Sequence, residues 1–319
     1  MEIKAEYKKS NLEMPPKKNI FKKMMKQKSL IIMSIPFVIY IGIFGYIPLV
    51  GWLMAFQNFS PSKGLFNQTW CGLSQFKFLF ADPTFLNVIR NTLCMSLINL
   101  VLGFVCSIGF ALLLNEMRIV IAKRFVQTVS YLPHFLSWII VTGIVADVLS
   151  PGTGIINHIL LGLHFIKMPI NFFAHTQYFW GIVGITNVWK EVGWESIIYL
   201  AAITAINPEL YEAADIDGAG RFQKMLHVTL PGIKATIFIL LIMNVGNIVN
   251  AGFEIQYLLG NGLVQSVAQT IDIFVLKYGI GLGNYSLATA AGIFKSVISI
   301  TLVVLANNFA KSVGEERLF

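Results

Sequence analysis

Six apolar stretches, each long enough to cross a lipid bilayer, constrain the fold of this chain more than any other feature of its sequence. They lie at about 30–56, 92–114, 126–149, 177–206, 232–259 and 284–310. About 20 apolar residues cross the hydrocarbon core as a helix, whose backbone groups bond to each other rather than to lipid. The composition agrees, since 55% of the residues are hydrophobic and only 13% are charged. We therefore predict an all-α integral membrane protein with six transmembrane helices.

The distribution of lysine and arginine predicts how these helices are oriented. Seventeen such residues lie in the N-terminal tail, the loops 115–125 and 207–234, and the C-terminal end, whereas the opposite loops hold five. Cytoplasmic loops are enriched in basic residues, so both termini and the 207–234 loop should be cytoplasmic. The predicted parts are a basic tail (1–28), a transmembrane domain (29–311) with a cytoplasmic loop (207–231), and a cytoplasmic end (312–319).

The basic tail accounts for most of the net charge of +8. Its lysines directly precede a membrane span and lack interleaved aromatic side chains. We therefore expect the tail to contact anionic membrane lipid, and we expect no nucleic acid to bind.

The polar segment 207–231 interrupts the apolar sequence between the fourth and fifth spans. Asn207 suits a helix N-cap and Pro208 the first helical position. Acidic residues follow in the first turns, where the helix dipole favours them, and Gly218 suits the C-terminal end. The pattern predicts a short helix of about 11 residues, roughly 16 Å long, which could dock onto a soluble partner.

This segment also resembles the EAA motif of permease subunits of bacterial ABC importers. The resemblance lies in Glu212-Ala213-Ala214, Gly218 and the later Val228-Thr229-Leu230-Pro231. The longer match, ELYEAADIDGAGRFQ followed by TLPGI, is similar to the carbohydrate branch, the maltose-permease superfamily, and most closely to its LplB-like members. The resemblance implies a MetI-like permease fold in a bacterial plasma membrane, with a coupling helix seated in a cleft of an ATPase. The implied coupling residues are Glu209, Glu212, Ala213, Ala214, Asp217, Gly218, Arg221, Leu230 and Pro231.

The partners that this resemblance implies are a second, non-identical permease, two ATPase subunits and an extracellular solute-binding protein that delivers an oligosaccharide. The chain has no G-x-x-x-x-G-K-[ST] sequence. We therefore expect no cofactor on this chain, with ATP and magnesium held by the ATPase subunits. No spacing of histidine and cysteine residues predicts a metal site.

Polar residues inside the predicted spans indicate a path through the membrane. A charged side chain at the bilayer centre costs roughly 3 kcal/mol, so such residues should face the protein interior or water. In the fifth span, Asn244, Asn247, Asn250 and Glu254 recur at three and four residues and predict one polar stripe along a helix. Aromatic side chains beside amides and carboxylates suit sugars. The candidate path comprises Asn187, Trp189, Lys190, Glu191, Trp194, Asn247, Asn250, Glu254 and Lys295.

Other readings of these residues stay open. Lys190 could pair with a carboxylate only to hold the helices together. An ion- or proton-coupled secondary transporter could use a relay of charged residues, namely Glu191, Glu195, Glu254 and Lys190. Six spans without a detectable inverted repeat, together with a cytoplasmic docking loop, argue against it. An intramembrane enzyme is a further alternative, but no nucleophile–base motif or metal site accompanies the acids. We therefore expect a transport subunit and not an enzyme.

Overall fold

The computed structural model describes residues 27–312, so most of the predicted basic tail and nearly all of the predicted C-terminal end lie outside the described range. Within it the chain is predominantly helical. The α-helices are α1 (Lys28–Ile41), α2 (Ser74–Ala81), α3 (Pro83–Glu116), α4 (Val120–Tyr131), α5 (Trp138–Val148), α6 (Ile155–Gly162), α7 (Thr176–Thr204), α8 (Pro208–Ile216), α9 (Arg221–Lys224), α10 (Leu230–Gly232), α11 (Lys234–Gly246), α12 (Phe253–Leu259), α13 (Gln265–Ala268), α14 (Ile271–Val275) and α15 (Tyr285–Ser312).

Shorter elements connect these helices. The tighter 3₁₀ turns are Ile47–Phe56, Leu132–Phe135 and Phe172–Ala174, and the wider π turns are Gly42–Tyr46, Met225–Thr229 and Leu276–Gly281. One two-stranded antiparallel hairpin pairs β1 (Gln57–Asn58) with β2 (Thr69–Trp70), so that Gln57 lies opposite Trp70.

The chain divides into two units, Met1–Trp52 and Leu53–Phe319. In the described part of the first unit, α1 and the turns that follow it bury none of their side chains. A helix that is apolar on all sides is typical of a membrane span, since only lipid or another membrane protein can cover it.

Several elements of the described range qualify as membrane spans by length and composition. Three do so as single helical runs: Lys28–Phe56, Pro83–Glu116 and Tyr285–Lys311. Two bent pairs bring the number to five: Val120–Phe135 with Trp138–Val148, and Arg221–Gly232 with Lys234–Gly246. The predicted fourth span is α7, whose 29 residues are long enough to cross but include Lys190, Glu191 and Glu195.

The predicted third span is bent rather than straight. The helix axis changes direction by 106° between its two halves. Pro133 lies in the 3₁₀ turn between them, where it cannot donate a helical hydrogen bond. Ser137 then starts α5, because its hydroxyl accepts the backbone N–H of Ile140 at 3.4 Å.

The predicted fifth span is broken, so the expectation of one continuous helix with a polar stripe is wrong. Helix α11 ends at Gly246, the segment 247–252 is unwound, and α12 begins at Phe253. Gly252 has a left-handed conformation with φ +82°, which a residue with a Cβ rarely adopts. Asn244 therefore lies on α11, Asn247 and Asn250 lie in the turn, and Glu254 lies on α12.

Helices α3 and α7 pack along one another at the centre of the second unit. A Cβ on Gly184 of α7 would lie 2.8 Å from Ile98 of α3, so the absence of a side chain permits this close approach. Three buried apolar clusters surround the pair, and their largest members are Phe85 and Phe274, Phe179 and Met95, and Tyr199 and Ile203.

Candidate functional site

A polar cavity of about 140 Å³ lies between α3, α7 and the unwound segment 247–252. The break in the fifth span brings three asparagines to its wall together with side chains of the two central helices. We call it the central cavity, and it is lined by Ser96, Asn99, Leu100, Gly103, Phe104, Asn187, Glu195, Asn244, Asn247, Ile248 and Asn250. Carboxamide groups both donate and accept hydrogen bonds, so this wall can bind a neutral, hydroxylated ligand.

Glu195 is the one ionisable side chain among the lining residues of the central cavity. The hydroxyl of Ser107 on α3 donates to its Oε2 at 2.7 Å. This bond ties the carboxylate to the α3 wall and leaves its other oxygen as an acceptor.

Two atoms in the α3 wall are buried without a hydrogen-bond partner in the described structure, namely Ser96 Oγ and Asn99 Oδ1. The amide of Asn99 donates to the carbonyl oxygen of Ala251, in the unwound segment, at 3.5 Å. Unpaired buried polar atoms are unfavourable, so a polar occupant of the cavity would stabilise this wall.

The sequence prediction placed Asn187, Asn247 and Asn250 on one path, and the structure brings them together at the central cavity. The sequence prediction did not include the α3 wall of the central cavity. The signal was present, because Ser96, Asn99, Gly103 and Ser107 recur at three and four residues along one face of the predicted second span. Small and polar residues at this spacing are typical of a helix that faces polar surroundings in a membrane.

Lys190, Glu191 and Trp194 do not line the central cavity and instead contact the bend of the third span. The buried ammonium of Lys190 donates to the carbonyl oxygen of His134 at 2.7 Å and lies 3.2 Å from Glu191. The other oxygen of Glu191 lies 2.6 Å from His134 Nδ1, and Trp194 stacks on the same ring at 4.5 Å between centroids. These contacts match the reading in which Lys190 holds the helices together.

The three other candidates for the path also lie elsewhere. Trp189 lines an apolar cavity of about 400 Å³ between α5, α6 and α7. Lys295 of α15 forms an ion pair with Asp272 of α14 at 2.6 Å. Glu254 is exposed on α12. Spacing along a single helix could not locate these three side chains, because their surroundings come from other parts of the chain.

The segment 207–231, which we call the coupling segment, begins with the predicted helix. The side chain of Asn207 accepts the backbone N–H of Glu209 at 3.1 Å, and Pro208 occupies the first turn of α8. The helix ends in a Schellman motif, in which Ala219 N–H bonds to the carbonyl of Ala214 at 2.9 Å. Gly218 supplies the left-handed residue with φ +76°. The predicted helix start and break are confirmed, although α8 has 9 residues rather than 11.

Internal contacts hold the coupling segment together. Lys224 of α9 pairs with Asp215 of α8 at 2.7 Å, and the hydroxyls of Tyr211 and Thr229 lie 2.9 Å apart. Glu209, Glu212, Ala213, Asp217 and Arg221 are exposed, Ala214 is half-buried, and Leu230 and Pro231 lie in α10.

The coupling segment also exposes large apolar side chains. Ile216 is 88% exposed, Phe222 77% and Leu210 53%. Polar loops seldom expose this much apolar area unless a partner covers it. Residues 27–312 contain no group of three or more His, Cys, Asp or Glu side chains that could hold a metal ion.

The chain is similar to known transport proteins over most of its length. Residues 99–315 match the family described as binding-protein-dependent transport system inner membrane component. The chain is 43% identical to the polygalacturonan/rhamnogalacturonan transport system permease protein YteP of Bacillus subtilis (strain 168), over 95% of this chain and 94% of that protein. It is 42% identical to Protein LplB of the same organism, over 93% of this chain and 92% of that protein.

Two solved structures are also similar. One is a bacterial ABC transporter involved in the import of the acidic polysaccharide alginate, with a TM-score of 0.85 and 37% identity over 92% of this chain and 99% of that chain. The other is a bacterial alginate ABC transporter in complex with an alginate pentasaccharide-bound periplasmic protein, with a TM-score of 0.86 and 36% identity over 94% and 99%.

These similarities confirm the resemblance inferred from the EAA motif and the all-α permease fold. The members of this family are transport subunits and not enzymes, so the intramembrane enzyme and the ion-coupled transporter are set aside. The chain belongs to the inner membrane components of binding-protein-dependent transport systems, and it is a permease subunit of an ABC importer.

Proposed function

We propose that this permease is one half of a transmembrane pair that imports oligosaccharides. Two ATPase subunits drive the import, and one of them binds the coupling segment of this chain. The observation that carries this proposal is the central cavity, where the broken fifth span places Asn247 and Asn250 opposite Asn187. Sugars present many hydroxyls and little charge, which suits a wall of carboxamides. The similarity to a permease named for polygalacturonan and rhamnogalacturonan supports the same substrate class.

The break in the fifth span supports a translocation path at this position. Unwound backbone within a membrane is tolerated only where it is buried in protein or lines a water-filled cavity. Segment 247–252 lines the central cavity through Asn247, Ile248 and Asn250. Discontinuous helices of this kind form the substrate sites of many transporters.

The coupling segment has the features of a docking surface for an ATPase. Helix α8 is about 14 Å long, which suits insertion into a cleft. Glu212 offers an exposed carboxylate, Ala213 permits close approach, and Ile216 and Phe222 offer apolar area. In this arrangement ATP and magnesium are bound by the ATPase subunits.

The expected assembly and orientation follow from the charge pattern and the relatives. The excess of lysine and arginine in these loops supports a cytoplasmic location for the coupling segment and both termini. A second, non-identical permease completes the path, and an extracellular solute-binding protein delivers the substrate. The similar alginate transporter was solved with such a periplasmic protein.

The proposal is tested by reversing the charge of Glu212 in the reconstituted transporter. Glu212→Lys should assemble with the second permease yet lose at least about tenfold of substrate-stimulated ATP hydrolysis, because a repulsive interface charge costs several kcal/mol. Glu116→Lys, at the end of α3 that is predicted to lie on the same side of the membrane, is the matched control. Wild-type stimulation and wild-type ATPase pull-down in Glu212→Lys would refute the coupling role. Failure of the wild-type complex to take up any oligosaccharide would refute the substrate class.

A further inference from the structure

A second pocket lies beyond the C-terminal end of the fifth span. This end of the span is the one far from the coupling segment. We call this second pocket the outer pocket. It has a volume of about 210 Å³ and is walled by α12, α13, α14 and the turn that follows α14. Its lining residues are Gln256, Tyr257, Gly260, Asn261, Gln265, Ala268, Gln269, Ile273 and Lys277.

Amide side chains dominate the polar part of the outer pocket. Gln256 is fully buried and Gln269 is 5% exposed. Gln256 Oε1 and Gln269 Nε2 lack a hydrogen-bond partner within residues 27–312, although Gln265 donates to Gln269 Oε1 at 3.2 Å. Two residues of the wall thus each carry a buried polar atom, one donor and one acceptor, that the protein does not satisfy, which favours a polar occupant with hydroxyl groups.

An aromatic ring borders the same pocket. Tyr257 is 53% exposed, and its ring stacks on Phe253 with 5.4 Å between centroids. This stacking holds the ring in place, so its free face can contact the C–H face of a sugar. The pocket is smaller than the roughly 300–1,000 Å³ of sites for drug-sized ligands, so it suits a single sugar ring rather than a chain.

Lys277 is the one charged side chain among the residues that line the outer pocket. Lys277 is exposed at its edge, and no carboxylate is among the residues that line it. The nearby Asp272 of α14 pairs with Lys295 on α15 at 2.6 Å and does not neutralise Lys277. The central cavity is different, because it contains Glu195. A carboxylate on the substrate is therefore recognised more favourably at the outer pocket.

One carbonyl oxygen in the unwound segment of the fifth span links the walls of the two cavities. The carbonyl oxygen of Ala251 accepts hydrogen bonds from Asn99, which lines the central cavity, and from Gln256, which lines the outer pocket. One carbonyl therefore couples the walls of both sites, and the outer pocket lies next to the path.

We infer that the outer pocket binds one hexuronate unit of an incoming acidic oligosaccharide, with Lys277 contacting its carboxylate and Tyr257 its ring. This inference rests on the proposed import of oligosaccharides. It adds a charge-selective step at the entrance that the neutral amides of the central cavity do not provide.

The test uses the complete transporter in lipid nanodiscs, without binding protein or ATP. The probes are a galacturonate trisaccharide and its fully methyl-esterified form, which has lost the carboxylates. Lys277→Gln should weaken binding of the acidic trisaccharide about tenfold and change binding of the ester less than about twofold, since a charge-assisted contact is lost. Tyr257→Ala should weaken both. Lys167→Gln, an exposed lysine in a different loop predicted on the same side, is the control and should change neither.

Uptake by the same complexes in proteoliposomes separates failure of this inference from failure of the proposed function. If the wild-type complex imports the trisaccharide but Lys277→Gln binds the acid as tightly as wild type, the outer pocket is not the uronate site. If the wild-type complex neither binds nor imports either trisaccharide, the saccharide function and the pocket are both wrong. Unchanged melting temperatures in the variants establish that any loss is not due to misfolding.

Discussion

Replacement of Gly193 by alanine tests whether α7 holds the bend of the third span by direct backbone contact. A Cβ at Gly193 would lie 2.1 Å from the carbonyl oxygen of Ser130 and 2.5 Å from its carbonyl carbon. Real Cβ contacts essentially never fall below 3.0 Å, so the two backbones must separate. Because Ser130 lies only four residues before His134, this separation also disturbs the contacts of Lys190 and Glu191 at the bend.

The expected loss of stability is that of an overpacked core, about 2–3 kcal/mol, which corresponds to roughly 5–10 °C in melting temperature. The matched control is Gly181→Ala in the same helix, where a Cβ meets no atom within 4 Å. This control should be neutral or slightly stabilising, because alanine favours helix more than glycine does.

Thermal unfolding of the purified chain in detergent, followed by tryptophan fluorescence, measures both variants under one condition. Gly193→Ala should unfold at a clearly lower temperature than Gly181→Ala and should yield less folded protein. Equal melting temperatures for the two variants would show that the close approach of α7 to α4 is not a structural constraint.

Three further predictions concern other parts of the chain. Gly218→Val should reduce substrate-stimulated ATP hydrolysis, whereas Gly218→Asn should retain most of it. Asparagine tolerates the left-handed conformation, which costs other residues about 1–2 kcal/mol. Equal activities of the two variants would contradict this. Lys190→Met should lower the melting temperature, because a buried ammonium no longer donates to the carbonyl oxygen of His134, a loss of about 1–3 kcal/mol. Asn247→Ala should instead lower uptake at unchanged melting temperature, and the opposite pattern would exchange the two roles. In a chain with serine at its native cysteines, Asp215→Cys should react with an impermeant maleimide only after the cells are opened, and labelling of intact cells would reverse the orientation.

The sequence was most informative where structure depends on neighbours along the chain. The coupling segment is an example, because Asn207, Pro208 and Gly218 act within a few residues of themselves. The apolar stretches predicted the position of the spans for the same reason, since crossing a bilayer depends on a continuous run of residues.

The central cavity was predicted only in part, because its geometry depends on contacts between distant segments. The spacing of Asn244, Asn247 and Asn250 fits a helix face, yet the chain unwinds at Asn247 and gathers these side chains around a turn. The role of Lys190 depends on His134, which is 56 residues away in sequence. No periodicity within one span reports such a partner.

The break in the fifth span has a consequence for how the protein is made. Helix α11 has 13 residues and is about 20 Å long, shorter than the roughly 30 Å hydrocarbon core that it must help to cross. A segment of this length does not partition favourably from the translocon into lipid on its own. The same holds for α7, because it carries three charged side chains. We therefore expect these two spans to remain at the translocon until α3 and α15 can pack against them. Membrane insertion of this permease would then be cooperative and would be completed only near the end of synthesis.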